Sequence, residues 1–383
     1  MRVQHAINGL KHQPGVRVRV IILRQSSSGN VLRGVHQEVP FETVMGDVGR
    51  TKFLLLAPLF HAKAKRHLED AFRPGLENVI HVYGPPCFDN LPTIKHARKL
   101  GFKVVFDIVE DDDLAFNISN SPWHRLNNLY KRRAAKTLPS LANGIVVISS
   151  YLKSKLRTLT NGQCPIHYRP VSVDMSLYPE GNFEFSRSVA LFYSGSFGVK
   201  DGISVLLNAF DLVCARQSNT RLVLTGRGDP DRIRELHARL HRSPHRERIN
   251  YRGYLNTGHY YAALNSADIP CMTRIDSGFA NAGFPFKLGE YLASGKPVIA
   301  SRVSDVPKLL EDGQNAMLVP AGDSAAIAEA VEFLLLHPKE AAAIGKRGRK
   351  IAEQLFDFRK QGRALLDFFH EIAIQSKAAQ IGS

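Results

Sequence analysis

The sequence predicts an α/β protein made of two Rossmann-like domains, each a parallel sheet covered by helices. Three observations carry that prediction. Short runs rich in Val, Ile, Leu and Phe alternate with stretches of helical length and periodicity. The alternation runs twice, before and after residues 175–188, a stretch holding Pro179, Gly181 and Asn182. A chain of 383 residues is long enough for two domains of ordinary size.

The chain opens inside a helix, residues 2–10. A doubly wound domain ordinarily begins with a strand and a glycine-rich turn before its first helix. That first strand is missing here, so a misplaced start or a truncated form is expected. Residues 16–23 (VRVRVIIL) read as a strand and 52–72 as a helix. Strand 78–83 (NVIHVY), helix 91–100 and strand 103–109 (KVVFDIV) follow, the last running into the acidic loop 110–113. A helix over 122–137 and a strand over 144–149 (GIVVIS) lead to Val171, Val173 and Asp174, which close the first half. The second half repeats the plan: strand 189–194 (VALFYS), helix 203–214, strand 221–225 (RLVLT), helix 231–241, strand 249–253, helix 260–266 and strand 268–272.

Residues 283–301 (GFPFKLGEYLASGKPVIAS) read as loop, short helix, glycine turn and strand. Pro285 suits the first helical position. Leu288, Tyr291 and Leu292 recur at helical spacing, Gly295 is a C-terminal stop, and 297–300 form a short buried strand. Lys287 then stands in the first helical turn, where the dipole disfavours a cation. A bound anion reverses that cost, because free N–H groups and a lysine together make a phosphate site. Glu290 follows at i+3 on the same face, suited to accept hydrogen bonds from sugar hydroxyls. An ordinary exposed Lys–Glu pair accounts for the same letters. Helix 306–311, strand 316–319 and helices to the end complete the chain. The expected domains are residues 1–178 and 179–358, with a C-terminal helix 359–375 packing back on the first. In such a pair, ligands bind in a central cleft at the carboxyl ends of the strands.

Hydrophobic content is 44%, and no run approaches the roughly 20 apolar residues of a membrane span. The N-terminal MRVQHAINGLKHQPG has no apolar core of signal-peptide type. Four scattered cysteines, Cys87, Cys164, Cys214 and Cys271, form no CxxC pair and fit a reducing compartment. A cytoplasmic address is expected. The formal net charge is +16, of which +12 falls in residues 1–175 and +4 in 176–383. Such a field attracts nucleic acid, anionic lipid or anionic substrates; a solvated surface is the plain alternative. No nucleic-acid motif accompanies the charge, and aromatics do not interleave with the basic runs. A nucleic-acid partner is not expected.

Five segments then occur in order: LFYSGSFGVKDGISVLLNAFDLV (191–213), RLVLTGRGD (221–229), INYRGYLNTGHYYAALNSADIPCMTR (249–274), FPFKLGEYLASGKPVIAS (284–301) and LLEDGQNAMLVPAGDSAAIAEAVEFLL (309–335). Together they resemble the donor domain of the retaining group 1 (family 4) glycosyltransferases of the GT-B fold. The resemblance is strong over 189–355 and weaker over 78–175, where NGIVVISSYLKSKL and VSVDMSLYPEG are similar to N-domain segments. It implies that Glu290 binds the ribose of a nucleoside-diphosphate sugar and that Lys287 contacts the diphosphate. Preorganised cations and helix amides at the departing diphosphate lower the barrier. Phe286, beside Lys287, joins the implied donor contacts.

Other positions carry over from the same resemblance. Gly195 and Gly198 sit where backbone approaches phosphate closely; a plain tight turn explains them equally. The family's arginine after the first glycine is Ser196 here, and its lysine before the helix glycine is Asp201. Lys200 either replaces that lysine or is a solvated loop charge. Gly226, Arg227 and Gly228 lie at a strand end, with Arg227 a candidate contact to base or phosphates or an exposed turn residue. Tyr254 and Leu255 flank the expected nucleobase or simply pack at a strand end. The family's second glutamate is Ala282 here, which leaves Asp276 and Asn281 as polar groups for sugar hydroxyls, or as loop residues. In the N-domain a family histidine position is Val109. Asp107, Glu110 and Asp111 are acceptor-side candidates, with Asp111 the candidate to help remove the acceptor proton; a solvated loop or helix cap explains the cluster too. Trp123 and His124 fit a helix surface or core as well as a site.

The resemblance therefore implies a retaining, metal-independent transferase that moves a sugar from a nucleoside diphosphate to a glycan or lipid-linked acceptor. Front-face attack, with the departing phosphate assisting deprotonation, is the implied mechanism. No cofactor beyond the nucleotide-sugar co-substrate is expected, and no metal, since Asp111–Asp113 is a metal motif by letters only. The basic N-domain suggests an anionic membrane surface at the inner face of the cell membrane. A nucleotide-sugar epimerase and a non-catalytic nucleotide-sugar binder are the alternatives. A charge-driven nucleic-acid binder is a further class, without a motif.

Overall fold

The computed structural model describes residues 2–24, 33–46, 50–87, 89–115 and 132–381. The chain divides into two compact units, Met1–Arg169 with Arg359–Ser383, and Pro170–Phe358.

Unit 1 opens with helix α1 (Arg2–Lys11), followed by β1 (Val20–Arg24), β2 (Arg33–His36), β3 (Val39–Met45) and α2 (Arg50–Ala71). Then come β4 (Val79–Tyr83), α3 (Leu91–Leu100), β5 (Lys103–Ile108), β6 (Gly144–Val147), α4 (Ser150–Leu159) and β7 (Ile166–Tyr168). Strands β4-β5-β6-β7 form one sheet, parallel throughout. Strands β1-β3-β2 form a second, with β1 parallel and β2 antiparallel to β3. The apolar letters of β5 and β6 are buried on both faces, as a parallel sheet under helices requires. Helix α3 stops at Gly101, whose φ of 102° lets its N–H reach the carbonyls of Ala97 and Arg98. Helix α4 starts where the Ser149 hydroxyl accepts from the Leu152 N–H.

The C-terminal helix Phe358–Ile381 supplies Leu365, Phe368, Phe369 and Ile372 to one core with Ala6 and Leu10 of α1, Val105 and Val146. A Cβ on Gly362 would lie 2.3 Å from the Gly9 carbonyl carbon, so two glycines let these helices touch. Unit 1 also buries charge. Arg2 Nε and Nη2 donate to Asp107 at 3.1 and 2.8 Å, and Arg169 Nη2 donates to the Arg2 carbonyl at 3.1 Å. Burial would raise the Asp107 carboxyl, but Arg2 and Arg169 outweigh it and hold it below its usual range. Arg169 Nε and Nη1 are buried with no acceptor among the described residues.

Unit 2 contains β8 (Val189–Gly195), α5 (Ile203–Arg216), β9 (Thr220–Gly226), α6 (Pro230–Arg242), β10 (Ile249–Tyr251), α7 (Thr257–Asn265) and β11 (Ile269–Met272). It continues with α8 (Phe286–Ala293), β12 (Ile299–Ser301), β13 (Met317–Val319), α9 (Ser324–Leu336) and α10 (Pro338–Ile351), and α11 (Phe358–Ile381) leaves it for unit 1. Its sheet is one parallel array, β10-β9-β8-β11-β12-β13. The chain builds outward from β8 on one side and resumes at β11 on the other. The β8–β11 pair is therefore the topological switch point, where the two loops diverge and leave a crevice at the carboxyl ends.

Three expectations need correction. The division falls at Arg169–Pro170, ahead of 178/179, because residues beyond it are tied to unit 2. Val173 pairs with Asp357 in a bridge, its N–H donates to Phe356 at 2.7 Å, and its carbonyl accepts from Phe358 at 3.0 Å. The strand expected over 16–23 begins at Val20; Val16 and Val18 pack on the core unpaired. The β2–β3 hairpin was not expected at all. The helix expected over 122–137, with Trp123 and His124, lies outside the described residues except for its last turn. No helix among the described residues is long and apolar enough to cross a membrane.

Candidate functional site

The crevice at the switch point of unit 2 holds an open pocket of about 190 Å³. Three elements build it. The loop after β8 turns through Ser196–Gly198 into a single 3-10 turn, Val199–Asp201. Asp201 closes this loop: its carboxylate accepts from the Ser196 hydroxyl at 2.6 Å and the Gly198 N–H at 3.0 Å. The segment after β11 carries Thr273 and Arg274 to the pocket wall, where the Arg274 N–H donates to Ser301 Oγ at 3.1 Å. The first turn of α8 brings Pro285, Phe286 and Lys287. Helix α8 is locked to β8 through Tyr291, whose hydroxyl oxygen accepts from the Ser194 N–H at 2.8 Å.

The Lys287–Glu290 pair lies on the buried side of that turn. Lys287 Nζ is 3.2 Å from Glu290 Oε2 and 4.1 Å from the centre of the Tyr260 ring. The Tyr260 hydroxyl donates to the same oxygen at 2.6 Å. Burial, and then the charge of Glu290, push the Tyr260 phenol well above its ordinary value, so it stays a donor. Glu290 is 1% exposed, and its other oxygen, Oε1, is buried with no partner among the described residues. A buried carboxylate oxygen without a donor is costly; a ligand hydroxyl would satisfy it.

Of the residues singled out in the sequence, Gly195, Ser196, Lys200, Phe286 and Lys287 line the pocket, and Gly198 and Glu290 bond to residues that do. Lys200 Nζ sits 4.4 Å over the Phe279 ring. Gly226, Arg227, Tyr254, Leu255 and Asn281 stand outside its lining. Gly226 pairs with Gly195, and a Cβ there would lie 1.9 Å from the Gly195 carbonyl, so close strand approach accounts for it. Arg227 stacks on exposed Tyr254 at 5.0 Å. Asn281 is used internally, donating to Asp276 at 2.6 Å and accepting from the Ser304 N–H at 2.9 Å. Asp111 belongs to unit 1, where it accepts from Tyr151 at 2.9 Å, Lys155 at 2.6 Å and the Asp113 N–H at 3.0 Å. Burial opposes its ionisation, but these partners prevail and lower its pKa, which makes it a weak base. Sequence reasoning passed over Tyr260 and Arg274: one lay in an ordinary helix, the other was a lone cation after an apolar strand.

Residues 188–337 match the family model described as Glycosyl transferases group 1. A phosphatidyl-myo-inositol mannosyltransferase of Mycobacterium leprae is 30% identical over 48% of this chain and 46% of its own length. An MMP alpha-(1->4)-mannosyltransferase of Mycolicibacterium hassiacum is 26% identical over 62% of this chain and 54% of its own. The chain thus spans about half the length of the curated relatives it matches. Among solved structures, a sucrose-phosphate synthase from Thermosynechococcus elongatus superposes with a TM-score of 0.72 at 17% identity, covering 97% of this chain and 93% of that one. Anabaena HepE in complex with UDP-glucose gives 0.64 at 16% identity, covering 91% and 99%. The fold is GT-B: α/β, with parallel sheets in two Rossmann-like domains.

Proposed function

We propose that this chain is a glycosyltransferase that takes a sugar from a nucleoside diphosphate, with the donor bound in the unit 2 crevice. The observation that carries this is the Lys287–Glu290 pair, with its unsatisfied Glu290 Oε1, beside a cation-lined pocket at the switch point. The family match over unit 2 and the mannosyltransferase relatives support it. Glu290 receives the ribose hydroxyls. Lys287 and the first turn of α8 face the diphosphate, whose charge grows as it departs. Transfer proceeds with retention and without a metal, the departing phosphate taking the acceptor proton; Asp111, already ion-paired, is not needed. The acceptor is a glycan or a lipid-linked sugar, and the basic residues of unit 1 hold the protein at an anionic membrane surface.

Calorimetric titration with UDP, GDP, ADP and their sugars tests the donor site. One nucleotide should bind wild type, and Glu290→Ala should weaken it by about 10- to 100-fold, the worth of hydrogen bonds to a charged group. Equal binding by the variant refutes the assignment. The anomeric configuration of the product tests retention, activity in a chelator tests metal independence, and co-sedimentation with anionic liposomes tests the membrane surface. Donor turnover without acceptor would favour an epimerase instead.

A further inference from the structure

We infer that Arg274 is the pocket's principal phosphate-binding side chain, gripping the diphosphate of the nucleotide from the β11 side. This rests on the donor-site reading above and names a contact that reading does not contain. Three cations line the pocket, Lys200, Arg274 and Lys287, against one carboxylate, Asp201. Their availability differs. Lys287 is already paired with Glu290 at 3.2 Å and held over Tyr260. Lys200 rests on the Phe279 ring. Among the described residues no carboxylate comes within ion-pairing distance of Arg274, and no hydrogen bond engages its guanidinium. Asp201 is the nearby acid, but its carboxylate is spent on closing the β8 loop through Ser196 and Gly198.

The Arg274 residue is partly buried, and burial lowers its pKa, with the charge of Asp201 opposing. A guanidinium stays charged under such conditions. The fork of five donors opens on the pocket, and a phosphate there satisfies it with two parallel bonds. Its backbone is fixed for this task. The Arg274 N–H is bonded to Ser301, the Ile275 N–H donates to the Lys200 carbonyl at 3.2 Å, and a Cβ on Gly202 would lie 2.4 Å from the Thr273 carbonyl. The β8 and β11 loops thus touch, and Arg274 emerges beside Lys200 and opposite the first turn of α8.

The test compares UDP with UMP, and GDP with GMP, on wild type, Arg274→Gln and Arg274→Lys. Arg274→Gln should weaken the diphosphate at least 10-fold and the monophosphate less than about threefold, with the melting temperature little changed. Arg274→Lys, which keeps charge but loses the fork, should fall between them. Equal weakening of both nucleotides by both variants would make Arg274 structural and overturn the inference. Unchanged binding by Arg274→Gln would overturn it while leaving the donor site intact. If wild type binds none of the four nucleotides, the donor-site reading fails, and this inference with it.

Discussion

Unit 2 carries its site on one unbroken sheet, whereas unit 1 divides its strands between two. In unit 2, β8 and β11 are buried, have neighbours on both sides, and deliver their carboxyl-end loops to one point. In unit 1, β1 and β4 are as apolar in sequence, yet they are only half-buried and each pairs with one strand among the described residues. Ile21 of β1 and Ile80 of β4 pack on the same cluster around Leu68, Ala97 and Phe102 without sharing a ladder. Both units hold buried polar atoms without a partner among the described residues: Nε and Nη1 of Arg169 in unit 1, Oε1 of Glu290 in unit 2. The lesson is that continuity of the sheet at its switch point turns a Rossmann-like unit into a defined pocket. Unit 1 instead keeps its charge inside.

The largest expected difference between the units appears on acidification. Burial lowers His81 and His167, both in unit 1, to about 4. A group held neutral in this way stabilises the fold above its unfolded value of about 6.5, and the stabilisation is lost as pH falls toward 4. Each histidine contributes about 3 kcal/mol over that window. Asp107, held below its usual range, keeps its contribution until the pH falls below about 3.9. Urea unfolding followed by hydrogen exchange at pH 7.5 and 5 should show unit 1 weakening more than unit 2; equal weakening breaks the comparison. Next comes Asp107→Ala, which strands Arg2 and Arg169 and should cost about 3–5 kcal/mol, read as lost protection in β5 and β6. Gly226→Ala meets the Gly195 carbonyl at a φ of 140° and should destabilise unit 2 by about 2–3 kcal/mol. A neutral effect would mean that the β8–β9 ends are looser than they look. The smallest effect belongs to Arg227→Ala. Losing an exposed cation–π contact should cost about 0.5–1 kcal/mol of stability and leave nucleotide affinity unchanged. A drop in affinity would bring Arg227 into the site.

Much of unit 2 was legible because its apolar runs are short, β-branched and bounded by Gly, Pro or Asn. Helix α8 was legible from Pro285 and from the spacing of Leu288, Tyr291 and Leu292, and that spacing put Lys287 and Glu290 side by side. The β2–β3 hairpin was illegible for a physical reason. Its two-residue turn is Gln37–Glu38, at φ of 47° and 66°, where Asn-Gly is the usual signal. Arg274 and Tyr260 were illegible for another. Each matters through partners distant in sequence, Asp201 and Lys200 for one, Lys287 and Glu290 for the other, and no local period encodes those meetings.

The bridge between Val173 and Asp357 has a consequence for connectivity. The chain passes into and out of unit 2 through two segments joined by this bridge, so in chain terms unit 2 is an insertion whose ends are already joined. A single protease cut at either crossing would leave unit 2 closed on itself and α11 still embedded beside α1. The same adjacency marks residues 170–358 as the piece to circularly permute or transplant, since a short linker across its ends adds no strain that the native bridge does not already hold.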